Sequence, residues 1–240
     1  MAALKIGIIG AMEEEISFFR QEIDNLDEIQ KGKRIYYTGA WKGHDVFISR
    51  CGVGKVNAAI TSQVLIDVFG AEIIIFTGVA GGAEENLNVG DVVISTSCQQ
   101  HDIDASPLGF ERGTIPMFDG PSDFQADKGL LDIAYRSALN TVSNDIKVVK
   151  GKIVSGDQFI ADTDKVKQLR NDFSAACVEM EGAAVAQSAY FNNIPFVVIR
   201  SISDKANGEA AESFETFVNK AAENSAAIVE KMLKELPEKR

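Results

Sequence analysis

Three stretches of the chain, residues 4–10 (LKIGIIG), 72–77 (EIIIFT) and 196–199 (FVVI), are apolar at nearly every position and rich in β-branched residues. Such a run suits a strand covered on both faces, because a strand with one wet face alternates polar and apolar residues. Between these runs lie segments with apolar residues at helical spacing. Residues 13–25 carry Ile16, Phe19 and Ile23, and residues 57–69 carry Ile60, Val64 and Val68 on one stripe. A C-terminal helix over 213–236 has Phe214, Phe217, Val218, Ala221, Ile228, Met232 and Leu236 on its apolar face. Strands and helices alternate throughout, and no linker or composition shift divides the chain. The pattern predicts a single α/β domain over residues 1–240, with a central mixed, twisted β-sheet flanked by helices.

The remaining elements fill in that frame. Residues 34–41 and 45–51 read as strands around Lys42-Gly43-His44, a hairpin turn. Residues 91–95, 147–154 and 176–178 read as further strands, and 127–142, 162–171 and 183–191 as helices, with Asp162 an N-cap. Residues 99–125 show little periodicity and hold Pro107, Pro116 and Pro121, so they read as a long functional or interface-forming loop.

Charge and cysteine usage narrow the function class. With 24 Lys+Arg against 35 Asp+Glu the net charge is −11. This argues against a sequence-independent grip on nucleic acid, which needs clustered cations, and against anionic membranes. The three cysteines, Cys51, Cys98 and Cys177, are far apart and form no CxxC pair, as expected of free buried thiols in a reducing cytosol. The opening MAALKIGIIGAMEEE lacks a basic n-region and reads as a first strand rather than a signal peptide. No stretch approaches the ~20 apolar residues of a membrane helix. The expected location is cytoplasmic.

Several motifs fail on inspection. Gly52-Val53-Gly54-Lys55 departs from GxxxxGK[ST], with Ser49 at the first glycine position and Val56 at the hydroxyl position. Gly7-Ile8-Ile9-Gly10 lacks the dinucleotide spacing. His101-Asp102-Ile103-Asp104 has no second His or Cys nearby to make a metal cluster, so solvated loop polarity is the simpler reading and no metal or cofactor is expected. Without a GxSxG elbow, and with only His44 and His101, chemistry falls to carboxylates.

Three acidic sites stand at or just past strand ends, where ligands bind in open α/β sheets. These are Glu13-Glu14-Glu15, Glu179-Met180-Glu181 and Asp204. Each alone could simply favour a helix dipole. In an extended segment Glu179 and Glu181 would share one face. Together with Gly78–Gly82, where backbone can approach a ligand closely, they fit a carboxylate-based hydrolytic site for a small molecule.

At these residues the sequence resembles the 5′-methylthioadenosine/S-adenosylhomocysteine nucleosidases of the nucleoside phosphorylase superfamily. The matching motifs are KIGIIGAMEEE (5–15), GVGKVNAA (52–59), TGVAGG (77–82), VSGDQFI (154–160), VEMEGAA (178–184) and RSISD (200–204), collinear over essentially the whole chain. The resemblance implies a nucleoside phosphorylase-like fold and hydrolysis of the N-glycosidic bond, giving adenine and a thioribose. Glu15 is then the carboxylate that positions and deprotonates water, Glu181 the ligand of the ribose hydroxyls with Met180 packed on the sugar, and Asp204 the acid that protonates adenine N7. Phe159 would stack on adenine, the Ile160 backbone would pair with its amino edge, and Phe214 would close over the ligand. Arg200 and Ser203 would support the acid, while Met12, Val53, Val79, Ala80, Gly81 and Glu179 complete the walls. A partner subunit's loop, where Ala105, Leu108, Phe110 and Ile115-Pro116 stand, would finish the alkylthio pocket, so a homodimer is implied. Val79 replaces a serine found in some members, and Ala105, Leu108 and Phe110 stand where other members carry bulkier or hydroxylated residues.

Two rivals are weighed against this. A phosphate-dependent nucleoside phosphorylase of the same fold would need cationic clamps. Here Phe76 stands where such relatives carry an arginine, and GAMEEE replaces their phosphate loop. A non-catalytic adenosine-binding protein would not need Glu15, Glu181 and Asp204 together.

Overall fold

β1 (Lys5–Gly10) is hydrogen-bonded in parallel to β4 (His44–Arg50) on one side and to β5 (Ile73–Gly82) on the other. Every residue of β1 after Lys5 is buried, which is why the run shows no polar alternation. The protein is described by a computed structural model over residues 3–23, 25–205 and 210–237. β5 is buried at all its positions and is the hub of the sheet. It also pairs in parallel with β10 (Phe196–Asp204) and, at its end, antiparallel with β9 (Ala175–Glu179). β6 (Val92–Gln100) lies antiparallel to β10 and parallel to β8 (Val148–Ser155), and β8 is parallel to β9. Strands β5, β10, β6, β8 and β9 therefore close into a ring. Beyond β4 the sheet continues antiparallel through β3 (Arg34–Trp41) and β2 (Asp27–Lys31).

Helices cover both faces, as the alternation of elements requires. α1 (Glu13–Glu22), α3 (Lys128–Leu139) and α6 (Ala210–Glu235) share one apolar core, in which Phe19, Ala134 and Met232 are fully buried. α2 (Lys55–Asp67) and α5 (Gly182–Phe191) pack on the opposite face around Ala58, Leu65 and Val185. α4 (Thr163–Phe173) seals the end of β8 and β9 through Val166, Leu169 and Phe173. The expected N-cap is in place: the Asp162 carboxylate accepts from Lys165 N–H at 2.8 Å. The β3–β4 hairpin also forms as expected, with Lys42 at φ 50° and Gly43 at φ 87°, a two-residue turn whose positive φ values match the strand twist.

Four expectations need correction. β2 carried no signal because it is an edge strand with an exposed, charged pattern, DEIQK. The segment 99–125 is not all loop, since β6 runs to Gln100, residues 106–108 form a 3-10 turn and β7 (Asp123–Gln125) pairs with β6. On α2, Ile60 and Val68 are about half exposed, and the buried face is instead Ala58, Thr61, Ser62 and Leu65. α2 lies against α5, which is largely alanine at the contact, so Ala58, Thr61, Ser62 and Leu65 face inward, Val64 packs on the edge of the same core, and Ile60 and Val68 face outward. Phe217 likewise points away from the α6 core.

Candidate active site

The C-terminal ends of β1, β5, β9 and β10 converge on a cavity of about 280 Å³. It is lined by the first turn of α1, the end of β5, the β9–α5 junction, the end of β10 and Phe214 of α6. Among the described residues, no lysine or arginine lines it, whereas Glu15, Glu179, Glu181 and Asp204 all do.

Glu15 is the third residue of α1, and its carboxylate closes the helix N-terminus. Oε2 accepts from the backbone N–H groups of Ala11 (2.5 Å) and Met12 (3.0 Å), and Oε1 from Val79 N–H at 3.1 Å. The helix start and the end of β5 thus fix the same carboxylate. A Cβ on Gly78 would lie 2.6 Å from Arg200 Nη1 and closer still to Glu15 Oε1, so glycine is what lets these two groups converge. Burial pushes the Glu15 carboxyl above its ordinary range, while the Arg200 charge and the three backbone donors pull it back.

β9 ends at Glu179 and Glu181 is the N-cap of α5, so the two glutamates do not share the face of an extended strand. They meet through Arg200 instead. Glu179 Oε2 is 2.5 Å from Arg200 Nη2 and also takes N–H bonds from Glu181 and Gly182, while Oε1 takes the Ser155 hydroxyl. Glu181 Oε2 is 4.0 Å from the same Nη2, and Oε1 accepts from Gly54 N–H at 2.8 Å. Burial, then the neighbouring Glu179 charge, push the Glu181 carboxyl up to about 8 against the pull of Arg200. Arg200 is itself buried, with its guanidinium 3.9 Å above the Phe76 ring. Burial works against its charge, but Glu179, Glu15 and Glu181 outweigh burial and raise its pKa. It lies behind the cavity rather than in its wall.

Asp204 is the last residue of β10, opposite Gly81 on β5, and is 2% exposed. The Ser203 hydroxyl donates to its Oδ2 at 2.9 Å. Glu15 is anchored at Val79 and Asp204 opposite Gly81, two residues apart along β5, or roughly 6.6 Å of strand. Two separately held carboxylates in one cavity are what inverting glycoside hydrolysis requires of its acid and its base. Phe159 and Phe214 form the lip, their rings edge to face with centroids 6.1 Å apart. Met12, Val53, Val79, Ala80, Gly81, Ile160, Met180 and Ser203 complete the wall.

Ala11, Gln158 and Val178 also line the cavity and were not singled out from the sequence; each adjoins a residue that was. Ala105, Leu108, Phe110 and Pro116 are not brought to the cavity of their own chain. Their segment is instead tied to β6, through Gln99 Nε2 donating to Gly113 O at 3.3 Å, and to α4, through Arg112 and Asp172 at 3.2 Å. The GVGK segment is not a phosphate loop: its Gly54 and Lys55 N–H donors are taken by the carboxylates of Glu181 and Asp157. His101 is buried against Gly156, and Asp102 pairs with Lys55 at 2.6 Å. No group of three or more metal-binding side chains occurs among the described residues.

The phosphorylase superfamily profile matches residues 5–234. A 5′-methylthioadenosine/S-adenosylhomocysteine nucleosidase of Desulfotalea psychrophila is 44% identical over 98% of this chain and 99% of its own. Among solved structures, the S-adenosylhomocysteine nucleosidase of Streptococcus pyogenes, in complex with 5-methylthiotubericidin, superposes with a TM-score of 0.92. It is 37% identical and covers 99% of each chain. The 5′-methylthioadenosine/S-adenosylhomocysteine nucleosidase of Neisseria meningitidis, in complex with methylthio-immucillin-A, gives the same score at 38% identity, covering 97% of this chain and 99% of its own.

Proposed function

The chain belongs to the phosphorylase superfamily and, within it, to the 5′-methylthioadenosine/S-adenosylhomocysteine nucleosidases, and we propose that it hydrolyses its nucleosides with Glu15, Glu181 and Asp204. The reaction adds water to C1′ of the ribose and breaks the bond to N9 of adenine. Charge builds up as an oxocarbenium-like sugar on one side and an electron-rich purine on the other. Asp204 gives its proton to N7, so adenine leaves neutral. Glu15 takes a proton from the water that attacks the opposite face, and its burial-raised pKa makes it a stronger base than a solvated carboxylate. Glu181 holds the ribose hydroxyls, with Met180 packed on the sugar. Phe159 and Phe214 enclose the adenine, and the Ile160 backbone pairs with its amino edge. Val79 serves through its N–H to Glu15, a contact that needs no side-chain hydroxyl.

The observation that carries the choice of nucleophile is the charge of the wall. Among the described residues no lysine or arginine lines the cavity, and the Arg200 guanidinium behind it is engaged by Glu179. A phosphate dianion would find no cationic clamp there. Water is therefore the nucleophile.

Residues 1–240 form one nucleosidase domain in this reading, and it works as a homodimer. Val56 and Ile60 of α2, Phe191 of α5, and Leu108 and Met117 of the intervening loop are half or more exposed. Large apolar side chains gathered on one side are characteristic of a subunit interface. Ile115 and Phe118 pack on the same core as α2 and α5, with Phe118 against Phe191, and in a dimer residues 105–116 reach the partner's cavity. A cytoplasmic location suits the three buried free cysteines, whose thiols burial pushes up and keeps unreactive. No described helix is long and apolar enough to cross a membrane.

Asp204→Asn tests the acid. Adenine release should fall by roughly 10²–10⁴-fold, the usual worth of a placed acid, while binding of the nucleoside, followed by calorimetry, persists. Retained turnover in this variant would remove Asp204 from the role.

A further inference from the structure

Lys55 is the first residue of α2, where a cation faces the positive end of the helix dipole. Its N-cap, Gly54, has no side chain to close the helix. Both defects are made good from outside the helix. The Asp157 carboxylate accepts from Lys55 N–H at 2.9 Å. The Lys55 ammonium donates to Asp102 Oδ1 at 2.6 Å and to Gln100 Oε1 at 2.9 Å. Asp102 Oδ2 in turn accepts from the backbone N–H of Asp157 at 2.9 Å, which closes the circuit. Burial works against the Asp102 charge, but the Lys55 ammonium and the Asp157 N–H outweigh it and hold the carboxyl below its ordinary range.

Asp157 opens the stretch that carries Phe159 and Ile160 to the cavity wall. Among the described residues, the backbone of residues 157–161 makes no hydrogen bond to other backbone, and its one hydrogen bond to a side chain is that of Asp157 N–H to Asp102. The stretch therefore has no ladder of its own to fix it. On the other side of the circuit, Gly54 N–H holds Glu181 Oε1 at 2.8 Å. The wall given to adenine and the carboxylate given to ribose are thus tied to the same end of α2. We propose that Lys55, Asp102 and Asp157 are positioning residues, which brace residues 157–160 so that Phe159 and Ile160 meet the base in register with Asp204. The inference rests on the nucleosidase reading of the cavity, which none of the three lines. Lys55 and Asp157 adjoin Val56 and Phe191 on the side given to the partner subunit, and the brace, an internal contact, needs no access there.

Product inhibition separates this role from a merely structural one. Asp102→Ala removes both acceptors, and Asp102→Asn, whose amide accepts at one oxygen only, serves if the alanine variant does not fold. A hydrogen bond to a charged group is worth roughly tenfold to a hundredfold in an equilibrium, so inhibition by free adenine should weaken about tenfold or more. The kcat/KM for methylthioadenosine should fall with it. Inhibition by methylthioribose, which meets Glu181 and Met180 but not the braced stretch, should stay at the wild-type level. A general loss of packing would move both inhibitors together. Amide hydrogen exchange at residues 157–161 should quicken in the variant while β8 keeps its protection. Adenine inhibition left unchanged or changing in step with methylthioribose, or exchange at 157–161 left at the wild-type rate, overturns the brace. Failure of the wild type to release adenine from methylthioadenosine overturns the nucleosidase reading instead.

Discussion

At the residue scale the site is a set of buried carboxylates balanced on one arginine. Arg200 is 1% exposed and its counter-ion is Glu179. Glu179→Ala would leave that charge without a direct partner, and uncompensated buried charges cost about 3–5 kcal/mol. Urea unfolding should show that loss, and an unchanged midpoint would mean that Glu15 and Glu181 suffice as counter-charges. Glu181 gives a pH signature. Its pKa is about 8 in the folded protein, against an ordinary value of 4.5. The fold therefore favours its protonated form, a contribution fully present below about pH 4.5 and lost as pH rises through about 8. Melting temperatures of the wild type should fall across that window relative to those of Glu181→Gln, and parallel curves would refute the shift. The acidic positions themselves were legible in the sequence because they stand at strand ends. Their partners were not: that Glu179 and Glu181 meet through Arg200 depends on β9 stopping at Glu179 and α5 beginning just after it.

At the scale of elements, sequence pattern was informative where burial is uniform and misleading where it is not. β1, β5 and β10 announced themselves because strands covered on both faces must be apolar throughout. β2 and β7 could not, since an edge strand and a three-residue pairing have no core face to encode. α2 was misread at Ile60 and Val68, which face outward, while its alanine and hydroxyl residues pack on α5 beside Leu65. Its Ser62 and Thr61 hydroxyls are satisfied by carbonyls of their own helix, which makes that burial tolerable. β5 also carries the narrowest steric constraint in the site. Gly78→Ala would force Glu15 and Arg200 apart, and a displacement of about 1 Å in a catalytic group costs on the order of 10²-fold in rate. A kcat lowered by that much in a protein with native circular dichroism is the expected result; a wild-type kcat would show that the convergence over Gly78 is not needed.

At the scale of the whole molecule, α/β architecture with helices on both faces followed from the order of elements alone. Closure of five strands into a ring did not, because it depends on pairings between distant segments such as β6 with β8 and β5 with β9. Neither could one chain show what residues 105–116 do, since they lie outside their own cavity. If they complete a partner's pocket, assembly and activity are linked. Val56→Glu with Ile60→Glu, both on the exposed side of α2, should give a monomer in analytical ultracentrifugation and a large rise in KM for methylthioadenosine. A dimer with normal kinetics would place the interface elsewhere. The central claim, that carboxylates and water rather than phosphate cleave the nucleoside, is tested most directly by adenine release from methylthioadenosine with and without inorganic phosphate, with the sugar product identified. Equal rates and a sugar free of phosphate are predicted; phosphate-dependent release yielding a sugar 1-phosphate would contradict it.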